Sequence, residues 1–204
     1  MKTILIANPK GGSGKTTLST NISGYLAAQG HRVAILDLDR QKSSLLWLSG
    51  RPFNLPSIEQ FQPAGDDAKS PDWLVIDSPA GLHGKNLEYA LRLAHKVVVP
   101  IAPSLFDIQA SREFLEALQH EKVVRKKKTF IGIVGMRMAP HTRAATTLEQ
   151  FIGELDLPVL AWLRETQVYV NAAFEGKTLF DLPHWQAERE LEQWSYLLDW
   201  LEKN

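Results

Sequence analysis

Asn8-Pro9-Lys10-Gly11-Gly12-Ser13-Gly14-Lys15-Thr16-Thr17 is the stretch on which the reading of this chain turns. An apolar run, Ile4-Leu5-Ile6-Ala7, leads into it, and a helix-compatible segment, Leu18 to Gln29, leaves it. Strand, glycine-rich turn and helix form the setting of a phosphate-binding loop. Glycines let backbone N–H groups converge on phosphate oxygens, and the helix N-terminus adds partial positive charge. In that setting Lys15 reaches the β- and γ-phosphates, and the Thr16 hydroxyl ligates Mg²⁺. The pattern Gly-x-x-x-x-Gly-Lys-Ser/Thr fits loosely, because the glycines fall at 11, 12 and 14; Lys-Gly-Gly-x-Gly-Lys-Thr-Thr fits tightly. The expected ligand is a nucleoside triphosphate with Mg²⁺, held by Lys10, Gly11, Gly12, Ser13, Gly14, Lys15, Thr16 and Thr17. A glycine-rich tight turn is the plain alternative, and paired lysines and threonines directly after a strand argue against it.

Working outward, His31 to Asp39 is a second buried-strand run ending in two aspartates, Asp37 and Asp39. Carboxylates at the C-terminal edge of a parallel strand face the crevice where open α/β sheets bind ligands. Either aspartate could instead cap the helix expected from Ser43 to Leu48. Trp73-Leu74-Val75-Ile76-Asp77 runs into a single aspartate, as an element that holds hydrated Mg²⁺ beside a γ-phosphate requires. Further apolar runs begin at Lys96, Phe130 and Pro158, which makes six expected strands. Helical segments alternate with them: Thr17 to Gln29, Ser43 to Leu48, Lys85 to Ala94, Asp107 to Val124 and Ala144 to Leu155. Near-continuous apolar strands separated by amphipathic helices predict an α/β fold: a mainly parallel, twisted sheet with helices on both faces. Residues 1–204 then make one domain. Arg51 to Pro71 carries four prolines and reads as a surface connection with one short helix near Ser57 to Phe61.

Cysteine is absent, which excludes disulfides and cysteine-ligated metal clusters. No signal peptide and no apolar stretch near twenty residues is visible, so a cytoplasmic protein is expected. The last segment, Pro183 to Asn204, repeats Leu191, Trp194, Leu198 and Leu201 at helical spacing, with Glu188, Glu190, Glu192, Asp199 and Glu202 on another side. It lacks the basic polar face of a membrane-surface helix and is expected to pack on the sheet.

Lys10 sits ahead of the loop, badly placed to curl back onto phosphates held by its own backbone. Together with Asp37/Asp39, Asp77 and Ser78-Pro79-Ala80-Gly81, it makes the chain resemble the deviant Walker A ATPases of the ParA/MinD type. Arg164-Glu165-Thr166-Gln167-Val168-Tyr169-Val170 and Gly176 to Phe180 resemble the short ParA partition proteins of the ParF type, which lack an N-terminal helix-turn-helix domain. The resemblance covers nearly the whole chain, and Asp39-Arg40-Gln41 departs from the family's usual Asp-Pro-Gln. It implies a P-loop fold and an ATP-dependent homodimer in which Lys10 acts in trans, so that Lys10, Lys15 and Asp39 are the catalytic set. It places Asp39 at the attacking water, and Thr16, Asp39 and Asp77, with Asp37 as a further candidate, around Mg²⁺. Arg137 falls where the family approaches adenine; a solvated arginine is the alternative. The missing cysteines separate the chain from the family's iron–sulfur branch.

The resemblance also implies nonspecific DNA, the nucleoid and a ParB-like or adaptor partner protein that stimulates slow ATP hydrolysis, with no membrane attachment. Lysine plus arginine and aspartate plus glutamate balance at 23 each, so any DNA footprint is local. Lys122, Arg125, Lys126, Lys127 and Lys128 form one basic run; Arg164 and Lys177 are the other candidates, gathered onto one face by the dimer. A solvated helix end explains such a run equally well. An ATP-dependent adaptor that binds only protein, or a metabolic enzyme of the dethiobiotin synthetase kind, stays open as an alternative function.

Overall fold

The computed structural model describes residues 1–62, 70–127 and 129–203. Seven strands form one sheet in the order β3-β2-β4-β1-β5-β6-β7, and every neighbouring pair is parallel. The strands are β1 (Lys2–Ile6), β2 (Val33–Asp37), β3 (Ile58–Gln60), β4 (Trp73–Asp77), β5 (Lys96–Ile101), β6 (Phe130–Met138) and β7 (Val159–Arg164). Among the described residues eight α-helices and one 3-10 turn (Leu179–Asp181) join or follow them: α1 (Lys15–Ala28), α2 (Ser43–Ser49), α3 (Gly84–Leu93), α4 (Leu105–His120), α5 (Lys122–Lys127), α6 (Arg143–Gly153), α7 (Gln167–Phe174) and α8 (His184–Glu202).

Both faces of the sheet are covered, which is why its central strands read as unbroken apolar runs. On one face Leu18, Ile22 and Leu26 of α1 pack with Trp47 of α2 and with Ala187, Trp194, Leu197 and Leu201 of α8. On the other lie Leu91 of α3, Phe114 and Leu118 of α4, Val124 of α5, and Leu148 and Phe151 of α6. α8 is anchored at its end by Lys96, whose Nζ donates to the carbonyls of Trp200, Leu201 and Lys203 at 2.5, 2.8 and 2.5 Å. Burial pushes that ammonium down to about 8.

The chain departs β1 toward β2 on one side and later passes from β4 to β5 on the other, so the crossovers diverge at β1. That is the topological switch point, and ligands of open α/β sheets sit beyond the strand ends there. β1 ends beside β5 at the pair Ile6↔Val98. Two residues on, Pro100 turns its backbone toward the side that β1 has vacated, so its missing N–H breaks no ladder bond.

Several expectations change. The short helix expected at Ser57 to Phe61 is strand β3, because Ile58, Glu59 and Gln60 pair with Val33, Ala34 and Ile35 at the free edge of β2. This seventh strand has one buried residue, Ile58, too little for an apolar run to announce it. Part of the Arg51 to Pro71 connection lies outside the described residues. The single helix expected from Asp107 to Val124 starts earlier, at Leu105 behind the Ser104 cap, and breaks at Glu121, whose backbone is extended (φ −63°, ψ 123°). α7 was not expected at all. In α8, Glu190 is buried at 2% exposure instead of lying on a solvated acidic side.

Candidate functional site

The loop between β1 and α1 is held open by groups from four directions. Asn8 is fully buried: its Nδ2 donates to the Pro100 carbonyl (2.8 Å) and to Ser111 Oγ of α4 (2.9 Å). Its Oδ1 accepts the backbone N–H of Lys10 at 2.8 Å. Asn8 thus continues the β1–β5 contact with a side chain where the strands stop pairing, and it fixes where the loop begins. From the β4 side, the Gly81 N–H donates to the Pro9 carbonyl at 2.8 Å, with Gly81 at φ 72°. From β6, Arg137 Nη2 donates to the Gly12 carbonyl at 2.6 Å. Beneath the turn, Gly14 (φ +97°) packs on the flexible end of Met136, and its left-handed backbone is what favours glycine there.

Lys15 lies at the floor. Its Nζ donates to the Lys10 carbonyl at 2.7 Å and lies 3.5 Å from Ser13 Oγ. Burial lowers its affinity for a proton, and the carboxylates of Asp77, Asp39 and Asp107 oppose that fall. Lys10, one turn of loop earlier, is half-buried, and its ammonium meets no acid among the described residues. The two lysines are therefore differently placed: one folded into its own loop, the other unspent at the mouth.

Thr16 Oγ1 donates to Asp77 Oδ2 at 2.9 Å, which brings the two expected metal ligands together from α1 and β4. The other carboxylate oxygen, Asp77 Oδ1, is buried with no hydrogen-bond partner. Burial raises the carboxyl to about 6, with Asp37 pushing the same way and the Thr16 hydrogen bond opposing. A buried, one-sided carboxylate beside a threonine hydroxyl fits hydrated Mg²⁺, which takes one or two protein oxygens and completes its shell with water and phosphate.

Asp37 and Asp39 part ways. Asp37 Oδ2 accepts from Ser44 N (3.1 Å), Ser44 Oγ (2.7 Å) and Leu45 N (3.4 Å), and Oδ1 accepts from Asp39 N at 2.9 Å. Its carboxylate is spent on the start of α2, which is the capping alternative. Asp39 engages the chain more lightly, accepting from Gln41 N at 2.9 Å, and it lines a cleft of 430 Å³ with Gly11, Gly12, Lys15, Thr16 and Ser78. Arg40, at the position of the family's usual proline, is exposed beside it.

The DNA candidates do not share one face. Arg164 Nε donates to buried Glu190 at 2.6 Å, and Lys177 pairs with Glu175 at 2.6 Å, so both cations are committed within the chain. Lys122, Arg125 and Lys126 are exposed on α5, at the opposite end of the sheet from the loop. The Lys127 side chain and Lys128 lie outside the described residues. Sequence reasoning missed Asn8, whose signal was an amide directly after an apolar strand, and Glu190, which one acidic position in a helical repeat could not reveal.

The family model for the CobQ/CobB/MinD/ParA nucleotide binding domain matches residues 4–179. The chain is 28% identical to maintenance of carboxysome distribution protein A of Halothiobacillus neapolitanus over 196 residues, covering 88% of this chain and 87% of that protein. It is 45% identical to the chromosome-partitioning ATPase Soj of Thermus thermophilus over 186 residues, covering 73% of this chain and 74% of that one. In fold it is similar to the septum site-determining protein MinD of Pyrococcus horikoshii, solved with Mg-ADP, at TM-score 0.71 and 17% identity, covering 99% and 96% of the two chains. With a glycine loop at the switch point, a lysine on each side of it, and Thr16 facing Asp77, the chain belongs to the CobQ/CobB/MinD/ParA nucleotide-binding family, in its ParA-type deviant Walker A branch.

Proposed function

We propose that this protein is a ParA-like positioning ATPase. ATP and Mg²⁺ bind at residues 10–17, and two protomers close face to face over the nucleotides. The closed dimer binds DNA without sequence preference, at the nucleoid of the cytoplasm. A partner protein then stimulates hydrolysis with Asp39 at the attacking water, and the dimer comes apart. Cycles of this kind partition or space a cargo. The reading draws on relatives named for carboxysome distribution and chromosome partitioning.

One observation carries the dimer: Lys10 is half-buried ahead of the glycines with no acid paired to its ammonium among the described residues, while Lys15 Nζ is already bound to the Lys10 carbonyl. A cation so placed suits phosphates that arrive with a second protomer. Thr16 and Asp77 are the residues that would hold Mg²⁺, which would supply charge neutralisation at the phosphates.

The test is size by light scattering with ATP, a non-hydrolysable analogue and ADP, followed by duplex binding under the same conditions at low and moderate salt. Dimerisation and salt-sensitive duplex binding with triphosphate alone are expected. A chain that stays monomeric with the analogue refutes the reading, and a dimer that ignores duplex leaves the protein-only adaptor.

A further inference from the structure

The basic surface on α5 and the nucleotide loop lie at opposite ends of the same strand. Arg137, near the C-terminal end of β6, touches the loop at Gly12. Phe130, the first residue of β6, pairs with Lys96 at the start of β5, and its N–H donates to the His95 carbonyl. Seven residues of strand separate Phe130 from Arg137, which at about 3.3 Å each is about 23 Å. α5 ends at Lys127, just before that far edge, and is held there by Val124, 7% exposed and packed in the core with α3 and α4.

The side chains fit a polyanion. Lys122, Arg125 and Lys126 are exposed, and no acidic side chain among the described residues pairs with them. Five other arginines are spent on acids, Arg32 on Asp72, Arg51 on Asp181, Arg92 on Glu88, Arg112 on Glu154 and Arg164 on Glu190, while Arg40, Arg137, Arg143 and Arg189 have no acid pair among the described residues; what sets α5 apart is that its cations are adjacent on one short helix. Leaving three neighbouring cations without counter-charge costs self-repulsion, which an anionic partner relieves. α5 turns Val123 and Val124 inward against the core, so its own exposed face is charged, with Phe130, 53% exposed, beside it at the start of β6. A face on which three cations outweigh a single aromatic ring favours the phosphates of a duplex over a lipid surface, where insertion of several apolar side chains supplies much of the affinity.

We infer that the closed dimer carries two duplex-binding surfaces pointing away from each other, each built on Lys122, Arg125 and Lys126, and that it bridges two separate stretches of DNA. The inference rests on the face-to-face dimer proposed above. Closure at the loop ends turns both α5 edges outward, at least about 45 Å apart by the same strand arithmetic. Surfaces that far apart and opposed do not grip one straight duplex side by side. Two protomers therefore bring two duplexes together, and the triphosphate state controls the link.

The experiment uses a bead-tethered duplex, a fluorescent duplex of unrelated sequence, and the full chain with a non-hydrolysable ATP analogue or ADP. Capture of the fluorescent duplex on the beads is expected with the analogue, and at least about tenfold less with ADP. The triple variant Lys122→Glu, Arg125→Glu, Lys126→Glu should dimerise as the parent does by light scattering yet lose capture and single-duplex binding. A milder Lys126→Gln variant should flatten the dependence of log affinity on log salt by about 0.9. If the analogue-bound dimer binds one duplex but captures no second, the bridging inference fails while the DNA-binding reading stands. Unaltered capture by the dimeric triple variant overturns the residue assignment. Absence of any duplex binding by the dimer defeats the DNA part of the proposed function itself. Binding to phosphatidylglycerol vesicles that requires the three cations, without duplex binding, replaces the DNA partner with a lipid surface and overturns the inference.

Discussion

Asp77 works against the stability of the fold that presents it. Its carboxyl is almost fully buried, one of its oxygens has no partner, and burial lifts it to about 6. The native state then holds this proton more tightly than the unfolded chain, so the contribution of Asp77 to stability falls as pH rises from about 4 to about 6. Binding of Mg²⁺ runs the other way, because the ion needs the deprotonated carboxylate. Affinity for MgATP should therefore weaken as pH is lowered through about 6, and calorimetric titrations on both sides of that value check it. Asp77→Asn should abolish Mg²⁺-dependent nucleotide binding yet raise the apo melting temperature, by about 2–4 °C for each 1 kcal/mol gained. For Lys10→Ala, the expected result is nucleotide binding within about threefold of the parent, with loss of analogue-induced dimerisation, read by light scattering beside a fluorescent-nucleotide titration. Dimerisation that survives this substitution removes the trans role.

Among the elements, α2 joins the two aspartates to the far C-terminal segment. Its start is gripped by Asp37, while Trp47 Nε1 near its end donates to the Lys177 carbonyl at 3.3 Å. Just beyond it, Arg51 pairs with Asp181, their side chains 5% and 2% exposed. Asp181 also accepts from Thr178 N and Oγ1, both at 2.7 Å, so the cluster is satisfied on every side. Arg51→Ala would strand a buried carboxylate and should cost about 3–5 kcal/mol in chemical denaturation. The same substitution should change the response of α2 to nucleotide, seen as a shift in Trp47 fluorescence on adding MgATP. Gly176 completes the latch at φ +64°, where a Cβ would lie 2.2 Å from the Gly50 carbonyl oxygen.

That latch also marks how far the sequence could be read. The loop, β1, β2 and β4 were legible because local spacing dictates them, whereas the meeting of Thr16 and Asp77, 61 residues apart, was expected only from the family resemblance. These strands are buried on both faces, so each reads as an uninterrupted apolar run. β3 was not legible, since its pairing depends on the vacant edge of β2 and only Ile58 faces inward. α7 hid in a sequence with two β-branched residues, Val168 and Val170, and one buried residue, Ala172; its support is tertiary. The Glu190 partner of Arg164, 26 residues away, was hidden for the same reason.

At the scale of the whole molecule, thermal behaviour should report assembly. ADP with Mg²⁺ raises stability by mass action alone, about 2.7 kcal/mol at a hundredfold excess over the dissociation constant. A non-hydrolysable ATP analogue should raise it further and make the melting temperature climb with protein concentration, because unfolding then includes dissociation. A scanning calorimetry series at several protein concentrations distinguishes the two. Identical concentration-independent shifts for both nucleotides would count against the sandwich dimer.

The sheet stops abruptly at β3, three residues long with Glu59 and Gln60 exposed. A protein that gathers at high local density on a polymer faces a particular hazard, the addition of a neighbour's strand to an open edge. So short an edge, with a charge on it, offers too little ladder for a copy to add to. At that edge, crowded copies are left with side-chain contacts, which come apart more readily than a shared backbone ladder; the longer edge strand is β7, at the other side of the sheet.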